Sequence, residues 1–334
     1  MAGVYYCMAL SLYPQTDCED LFSVVAQGLA WAAGAAEPKP VAKSSISALR
    51  GRIGWQPLAD LVQRCCTPMA DPKVHPGAFF QGLRLVVMDG SNFELPDAPD
   101  NVAQFGYPGS CTGHAGYPQA QCAVLAECAT YAVLAGNLAP YGSPEWQTCL
   151  PLLGALKPGM LCLADRGFNG YEHWRHAQAT GAELLWRCTN NRQWPVIKAL
   201  EDSSYLSEIQ PPRKERLDTQ AKPITVRVIE YAVPGLPKVE PDVKPDAQPR
   251  YRLLSTLLDD KAAPALAMAV LYHQRLNIDE VFDELKTHLR EGRREFRSKT
   301  AELMRQEFYG WVLAHYAVRW LLCQGASQRR MPHE

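Results

Sequence analysis

The residues best suited to chemistry lie in the run Leu271-Tyr-His-Gln-Arg-Leu-Asn-Ile-Asp-Glu-Val-Phe-Asp-Glu-Leu-Lys-Thr-His-Leu289. On a helix, at about 100° per residue, Tyr272 falls at about 0°, Arg275 at about 300°, Asp279 at about 340° and Lys286 at about 320°. One narrow face therefore carries a phenol, two cations and a carboxylate. Ile278, Val281, Phe282, Leu285 and Leu289 form a separate apolar stripe, between about 180° and 280°, of the kind that seats a helix on a core. The polar stripe runs beside the buried one rather than opposite it, which is where a semi-buried site belongs. An exposed helix with Arg275 and Asp279 as an i,i+4 ion pair is the plainer alternative.

Two further acids must be positioned by other elements. Leu83-Arg-Leu-Val-Val-Met-Asp-Gly90 and Met160-Leu-Cys-Leu-Ala-Asp-Arg-Gly167 are short apolar runs that reach Asp and then, at once or one residue later, Gly. Runs of this length and ending read as buried strands, and in an α/β sheet functional groups gather at the carboxyl ends of strands. Asp89 and Asp165 are expected there. Each taken singly is compatible with a turn or cap residue, but two at equivalent positions, with a third carboxylate on the helix, point to convergence. Converging carboxylates are the natural ligands of Mg²⁺ or Mn²⁺.

With these residues in view, the chain resembles bacterial insertion-sequence transposases of the DDE type, in the cut-and-paste group named after insertion sequence four. The matching stretches are Val87-Met-Asp-Gly-Ser-Asn-Phe-Glu-Leu-Pro-Asp97, Leu163-Ala-Asp-Arg-Gly-Phe168, Tyr272-His-Gln-Arg275 and Asp283-Glu-Leu-Lys-Thr-His-Leu289. The group's signature is Tyr, two residues, Arg, three residues, Glu, six residues, Lys, and its spacing recurs at Tyr272, Arg275, Asp279 and Lys286. Likeness extends over almost the whole chain.

Two departures stand out: the signature glutamate is Asp279, and the Trp common after the arginine is Leu276. Glu280 is adjacent and longer, but it points to about 80°, away from Arg275 and Lys286. Asp279 keeps the direction with one methylene fewer, so it is the expected third ligand and Glu280 the alternate. A shortened ligand can displace a metal by about an ångström, and misplacement of that size can cost about 100-fold in rate.

In-line attack on a phosphodiester builds negative charge on the nucleophile, the non-bridging oxygens and the leaving oxygen. Two divalent ions roughly 3.5 to 4 Å apart can stabilise all three. The resemblance implies that Asp89 bridges both ions while Asp165 and Asp279 each complete one. It implies that water frees a 3′-OH, which then attacks the opposite strand to form a hairpin that is reopened before joining to target DNA. It also implies that Arg275 and Lys286 hold a terminal phosphate, that Tyr272 lies against the transposon end, and that a homodimer holds two double-stranded terminal inverted repeats in a synaptic complex.

The formal net charge is −1, so a DNA-binding chain of this composition must segregate its charge. The clearest basic cluster is Arg290, Arg293, Arg294, Arg297 and Lys299, directly after the signature run and interrupted by only two acids. It is suited to a DNA backbone near the active site, or else is a solvated loop. A second segment, Lys43-Ser-Ser-Ile-Ser-Ala-Leu-Arg-Gly-Arg-Ile-Gly54, reads as a helix capped by Ser44 or Ser45. Ile46, Leu49 and Ile53 face inward on it, and Lys43, Arg50 and Arg52 outward. It fits a DNA-reading helix or a plain amphipathic one. Arg166, beside Asp165, is equally suited to contacting phosphate and to neutralising the acids.

The eleven cysteines are scattered, odd in number and lack a Cys-x-x-Cys pair, as expected of buried thiols in a reducing compartment. Val4-Tyr-Tyr-Cys-Met-Ala-Leu-Ser-Leu-Tyr13 is too short to span a bilayer. It lacks a secretory leader pattern, so a cytoplasmic, nucleoid-associated protein without a membrane partner is expected. The run begins as if already inside a helix, and the resemblance implies residues before it, hence a truncated amino-terminal domain.

The expected fold class is α/β, with a ribonuclease-H-like core implied by the resemblance. A helical DNA-binding domain is expected over residues 1–75, the first part of the core over 76–188, a β-rich insertion over 189–262, and the signature and carboxyl-terminal helices over 263–334. Asn92, Glu94 and Asp97 read as a polar loop after a strand ending near Asp89. The expected activity is metal-dependent DNA cleavage and strand transfer. Its rivals are a remnant that binds element ends without cutting and, further off, a general ribonuclease-H-type nuclease.

Overall fold

Val86, Val87 and Met88 are buried, the three residues after them are half-buried, and the strand that carries them does not stop at Asp89. It runs on as β2 (Leu83–Glu94). The reading of a strand ending near Asp89 is corrected here. Ser91, Asn92 and Glu94 are polar, but Phe93 is buried and the backbone stays paired with the next strand through Glu94. What ends near Asp89 is the parallel neighbour on the other side.

The computed structural model describes residues 1–110, 113–114, 116–168, 170–189, 192–213, 221–232, 250–274 and 296–329. After the helices α1 (Ala2–Leu12), α2 (Cys18–Ala32), α3 (Lys43–Ile53) and α4 (Gln56–Cys65) come β1 (Phe79–Phe80), β2, α5 (Pro99–Phe105) and a small hairpin of β3 (Gly109–Ser110) and β4 (Gly113–His114). Then follow β5 (Gln119–Glu127), β6 (Val133–Pro140), α6 (Glu145–Cys149), β7 (Met160–Ala164), α7 (Tyr171–Gln178) and β8 (Glu183–Arg187). Next come β9 (Lys198–Ala199), β10 (Tyr205–Ile209), β11 (Ile224–Ala232) and β12 (Arg250–Ser255), ahead of α8 (Ala265–Gln274) and α9 (Ala301–Arg329).

One sheet runs β6-β5-β2-β7-β8-β12-β11-β10-β9, with β1 paired beside β2. β2, β7 and β8 are parallel; the other pairs are antiparallel. An antiparallel meander followed by two parallel strands is the order the expected core requires. The β-rich block is continuous with that core, because β12 pairs with β8 through Leu253↔Arg187, Leu254↔Trp186 and Ser255↔Leu185.

Both faces of the parallel strands are covered, as near-continuous apolar strands demand. Leu85, Val87, Leu161, Leu163 and Leu185 pack with Met268, Leu271, Phe308, Trp311 and Val312 of α8 and α9 on one face. Val86, Met88, Cys162, Ala164, Leu184 and Trp186 meet Cys149, Leu152, Phe168 and Trp174 on the other. Burying a side chain of this size contributes about 1.5–3 kcal/mol, so the parallel strands are the rigid part of the scaffold.

After Glu145 the short α6 gives way to a 3₁₀ turn over Leu150–Ala155. Pro151 lacks the N–H that would continue the helix. The amino-terminal helices do not stand apart. Leu58 and Val62 of α4 join the main core, and α1 crosses α9 so closely that a methyl at Gly310 would meet the Cys7 carbonyl oxygen at 2.5 Å. In α9 the buried run ends near Ala314 and His315, and Leu322 is 57% exposed.

Candidate active site

Side chains alternate along a strand, so residues two apart share a face. Val87, Leu163 and Leu185 are neighbours across β2, β7 and β8 and share the α8 face. Two residues further along each strand come Asp89, Asp165 and Arg187. The parallel register therefore sets an acid, an acid and a cation in one row across three adjacent strands, at the carboxyl ends of β7 and β8. Asp165 lies one position past the last paired residue of β7, and Asp89 one past Met88↔Ala164.

Five contacts define the row. Arg187 Nη1 lies 3.7 Å from Asp165 Oδ1, and its guanidinium rests over the Tyr251 ring at 4.4 Å. The buried Tyr272 hydroxyl reaches the Ala164 carbonyl oxygen at 3.3 Å and Asp165 Oδ1 at 3.4 Å, as donor to either. Asp89 Oδ1 accepts the Gly90 N–H at 2.8 Å. His273, next to Tyr272, packs edge-on against Tyr231 and Tyr251. Burial, and then the nearby Arg187 charge, holds its imidazole below the ordinary value. A neutral imidazole there adds no second positive charge beside Arg187.

Glu145 approaches from the opposite face. Its carboxylate oxygens stand 3.3 Å and 2.5 Å from where a Cβ would sit on Gly90 and Gly167, so both glycines leave it room. Burial raises the Cys149 thiol, and the charges of Glu145 and Asp89 raise it further, so both carboxylates act on this one thiol.

The two aspartates offer only oxygen donors, which suits a hard divalent cation. No three acids, histidines or cysteines gather into a ligand set among the described residues. The expected third acid, Asp279, with its alternate Glu280 and with Arg275, Lys286, Arg290, Arg293 and Arg294, lies outside the described residues.

The remaining expected DNA contacts separate. Lys43, Arg52 and Lys299 are exposed. Arg297 is half-buried, with its guanidinium near the Tyr13 carbonyl oxygen and Cys18 Sγ. Arg50, expected to face outward, is buried and donates to Gln306 Oε1 at 2.8 Å, Ser298 Oγ at 2.9 Å and the Leu303 carbonyl at 3.2 Å. That corrects the outward placement: its donors fasten α3 to Ser298 and to α9. Nor do Ser44 or Ser45 cap α3. The cap position is Ala42, and Glu19 Oε1 accepts the Lys43 N–H at 2.8 Å.

Arg187 and Glu145 were missed in the sequence. For Arg187 there was a signal: Glu183-Leu-Leu-Trp-Arg187 is a buried strand whose last residue is charged, the same pattern as the two acid-bearing strands. Glu145 offered none, because its approach depends on how α6 crosses the sheet.

A mixed sheet with two acids side by side on adjacent parallel strands belongs to a class that the family comparison identifies. Residues 80–316 match the transposase DDE domain, and the chain belongs to that family. More particularly, it is 23% identical over 291 residues to the transposase InsG for insertion sequence element IS4 of Escherichia coli (strain K12), across 86% of this chain. It spans 62% of the length of that relative. The cryo-EM structure of the piggyBac transposase synaptic complex with hairpin DNA shares the fold, with a TM-score of 0.50 at 11% identity over 99% of this chain and 68% of that one. No helix among the described residues is long and apolar enough to cross a membrane.

Proposed function

We propose that this chain cuts the ends of an insertion sequence and joins them to target DNA by a cut-and-paste route, using divalent cations held by Asp89, Asp165 and Asp279. The row formed by Asp89, Asp165 and Arg187 carries this reading. Bound Mg²⁺ or Mn²⁺, two ions in all, would supply Lewis acidity toward the attacking and leaving oxygens. The chain's own groups do the placing. Tyr272 holds Asp165 from the α8 side, and Arg187 balances its charge and offers a cation to a phosphate entering the row. Arg275 and Lys286 grip the terminal phosphate. Lys43, Arg52, Lys299 and the Arg290, Arg293 and Arg294 cluster track the backbone of the duplex. A second copy of the chain carries the other end in the synaptic complex. Likeness in family and fold supports this reading; the metal, the hairpin step and the dimer are part of the proposal.

The test pairs a gel-shift on terminal-repeat DNA with a strand-nicking assay in Mg²⁺ and Mn²⁺. Asp89→Asn and Asp165→Asn should each lower nicking at least 1,000-fold, roughly 4 kcal/mol of barrier, while leaving the shift intact. Nicking that survives both changes would end the proposal.

Asp at 279, where the family signature has glutamate, favours a second reading: a protein that binds element ends and cuts weakly or not at all. Asp279→Glu should then raise metal-dependent nicking by about 10- to 100-fold. A larger rise from a change at Glu280 would transfer the ligand role to that residue.

A further inference from the structure

Arg227 on β11 is fully buried, and each nitrogen of its guanidinium has a partner. Nε donates to Ser204 Oγ at 2.8 Å, and Nη1 donates to the Ala263 carbonyl at 2.6 Å, with Asp259 and Leu257 carbonyls at 3.3 and 3.4 Å. Nη2 pairs with Asp202. Asp202 in turn accepts the Ala265 N–H, the first of α8, at 2.7 Å, and the Ser204 hydroxyl at 2.5 Å. Burial opposes the charge on Asp202, but the Ser204 and Ala265 donors and Arg227 outweigh it and hold the carboxyl below its ordinary value. An aspartate accepting a first-turn N–H is what an N-cap does, yet this one arrives from the inserted block, more than sixty residues earlier in the chain.

The geometry has a consequence for the site. The pair touches α8 a second time one turn on, where Arg227 Nη1 lies 3.8 Å from Met268 Sδ. Tyr272 follows Ala265 by seven residues, about two turns and 10.5 Å along the axis, and returns to nearly the same side of the helix. One end of α8 is thus fastened to the insertion and the other lays a hydroxyl on Asp165. We propose that the Asp202–Arg227 pair is a positioning device that fixes the height and rotation of α8, and through Tyr272 the placement of Asp165. The inserted strands then do more than separate the second acid from the signature run. In its catalytic consequence this rests on the strand-cleavage reading above; in its structural part it does not.

The test uses the full chain with Asp202→Ala, Asp202→Asn, Tyr272→Phe and the double changes. Asp202→Ala should speed hydrogen exchange of the 265–272 amides at least tenfold while 83–94 and 160–164 exchange as before. It should lower the nicking rate about tenfold at saturating DNA with unchanged DNA affinity. Asp202→Asn should recover much of both, since its amide oxygen still accepts from Ala265. If the pair works through Tyr272, adding Tyr272→Phe to Asp202→Ala should cost no more than the worse single change. Additive losses, unchanged α8 exchange, or faster exchange spread equally over β2 and β7 would each overturn the proposal. Should Asp202→Ala fail to fold, the same cycle is read with Asp202→Ser, whose shorter side chain withdraws the acceptor from the Ala265 N–H while staying polar toward Arg227. If the wild-type chain nicks no DNA, the cleavage reading falls alone and the exchange cycle still decides the positioning claim.

Discussion

Arg187 Nη1 stands 3.7 Å from Asp165 Oδ1, on the strand next to that acid and in the same row. With Asp165 at 35% side-chain exposure, solvent screens the pair and its contribution to stability is small, about 1 kcal/mol or less. Its weight should lie in the reaction, where a fixed cation faces the charge that develops on phosphate. Arg187→Gln is expected to lower nicking by about 10- to 100-fold and move Tm by no more than about 2 °C. Parallel measurement of rate and thermal midpoint decides. A lowered midpoint with an unchanged rate would make Arg187 part of the scaffold only.

The Tyr272 hydroxyl bonds are long, 3.3 and 3.4 Å, so their removal costs little stability, roughly 0.5–1 kcal/mol. Tyr272→Phe keeps the buried ring and should slow nicking several-fold with DNA affinity unchanged. Tyr272→Ala empties a buried site and should cost about 3–5 kcal/mol, as large aromatic truncations do. Urea titrations of the two variants separate the roles: equal destabilisation would mean the hydroxyl, not the ring, seats α8.

Asp89 and Asp165 were legible in the sequence because apolar runs that stop at an acid betray buried strands whatever surrounds them. The extension of β2 past Asp89 was not. A strand paired on one side and open on the other can carry Ser91, Asn92 and Glu94 as well as any loop. Arg50 misled for a related reason. On a helix facing solvent its cation belongs outside, and only the arrival of Gln306 and Ser298, some 250 residues later, gives it buried partners. The union of β12 with β8 is a matter of long-range pairing. Composition identified that block as β-rich, but no local pattern says which strand its edge will join.

Arg50 and Arg52 stand on one helix with opposite expected outcomes. Arg50→Ala leaves Gln306 and Ser298 short of a buried partner and should cost about 2–4 kcal/mol. DNA affinity of the protein that remains folded should not change. Arg52 is exposed, so Arg52→Ala should leave stability within about 0.5 kcal/mol. If α3 meets a DNA backbone, it should weaken binding a few-fold and reduce the salt slope by about 1. Denaturation and salt-dependent gel-shifts on both variants are decisive; a weaker complex from the Arg50 change alone would return that residue to the DNA surface.

His315 of α9 is buried, and burial lowers its imidazole from the ordinary 6.5 to about 4. In the native state it stays neutral down to about pH 4, whereas in the unfolded chain it takes up a proton below about pH 6.5. Between these values the unfolded state holds more protons, so stability rises with pH across that window. The favourable contribution is complete above about pH 6.5, drains away as the pH falls and is gone below about pH 4. At 1.36 kcal/mol per unit the loss is roughly 3 kcal/mol. His315→Gln removes the titration and should flatten the stability profile by that amount between pH 6.5 and 4, even if its midpoint at neutral pH is lower than that of the wild type. Urea midpoints across the range give the test, and parallel wild-type and variant profiles would mean another group governs acid sensitivity.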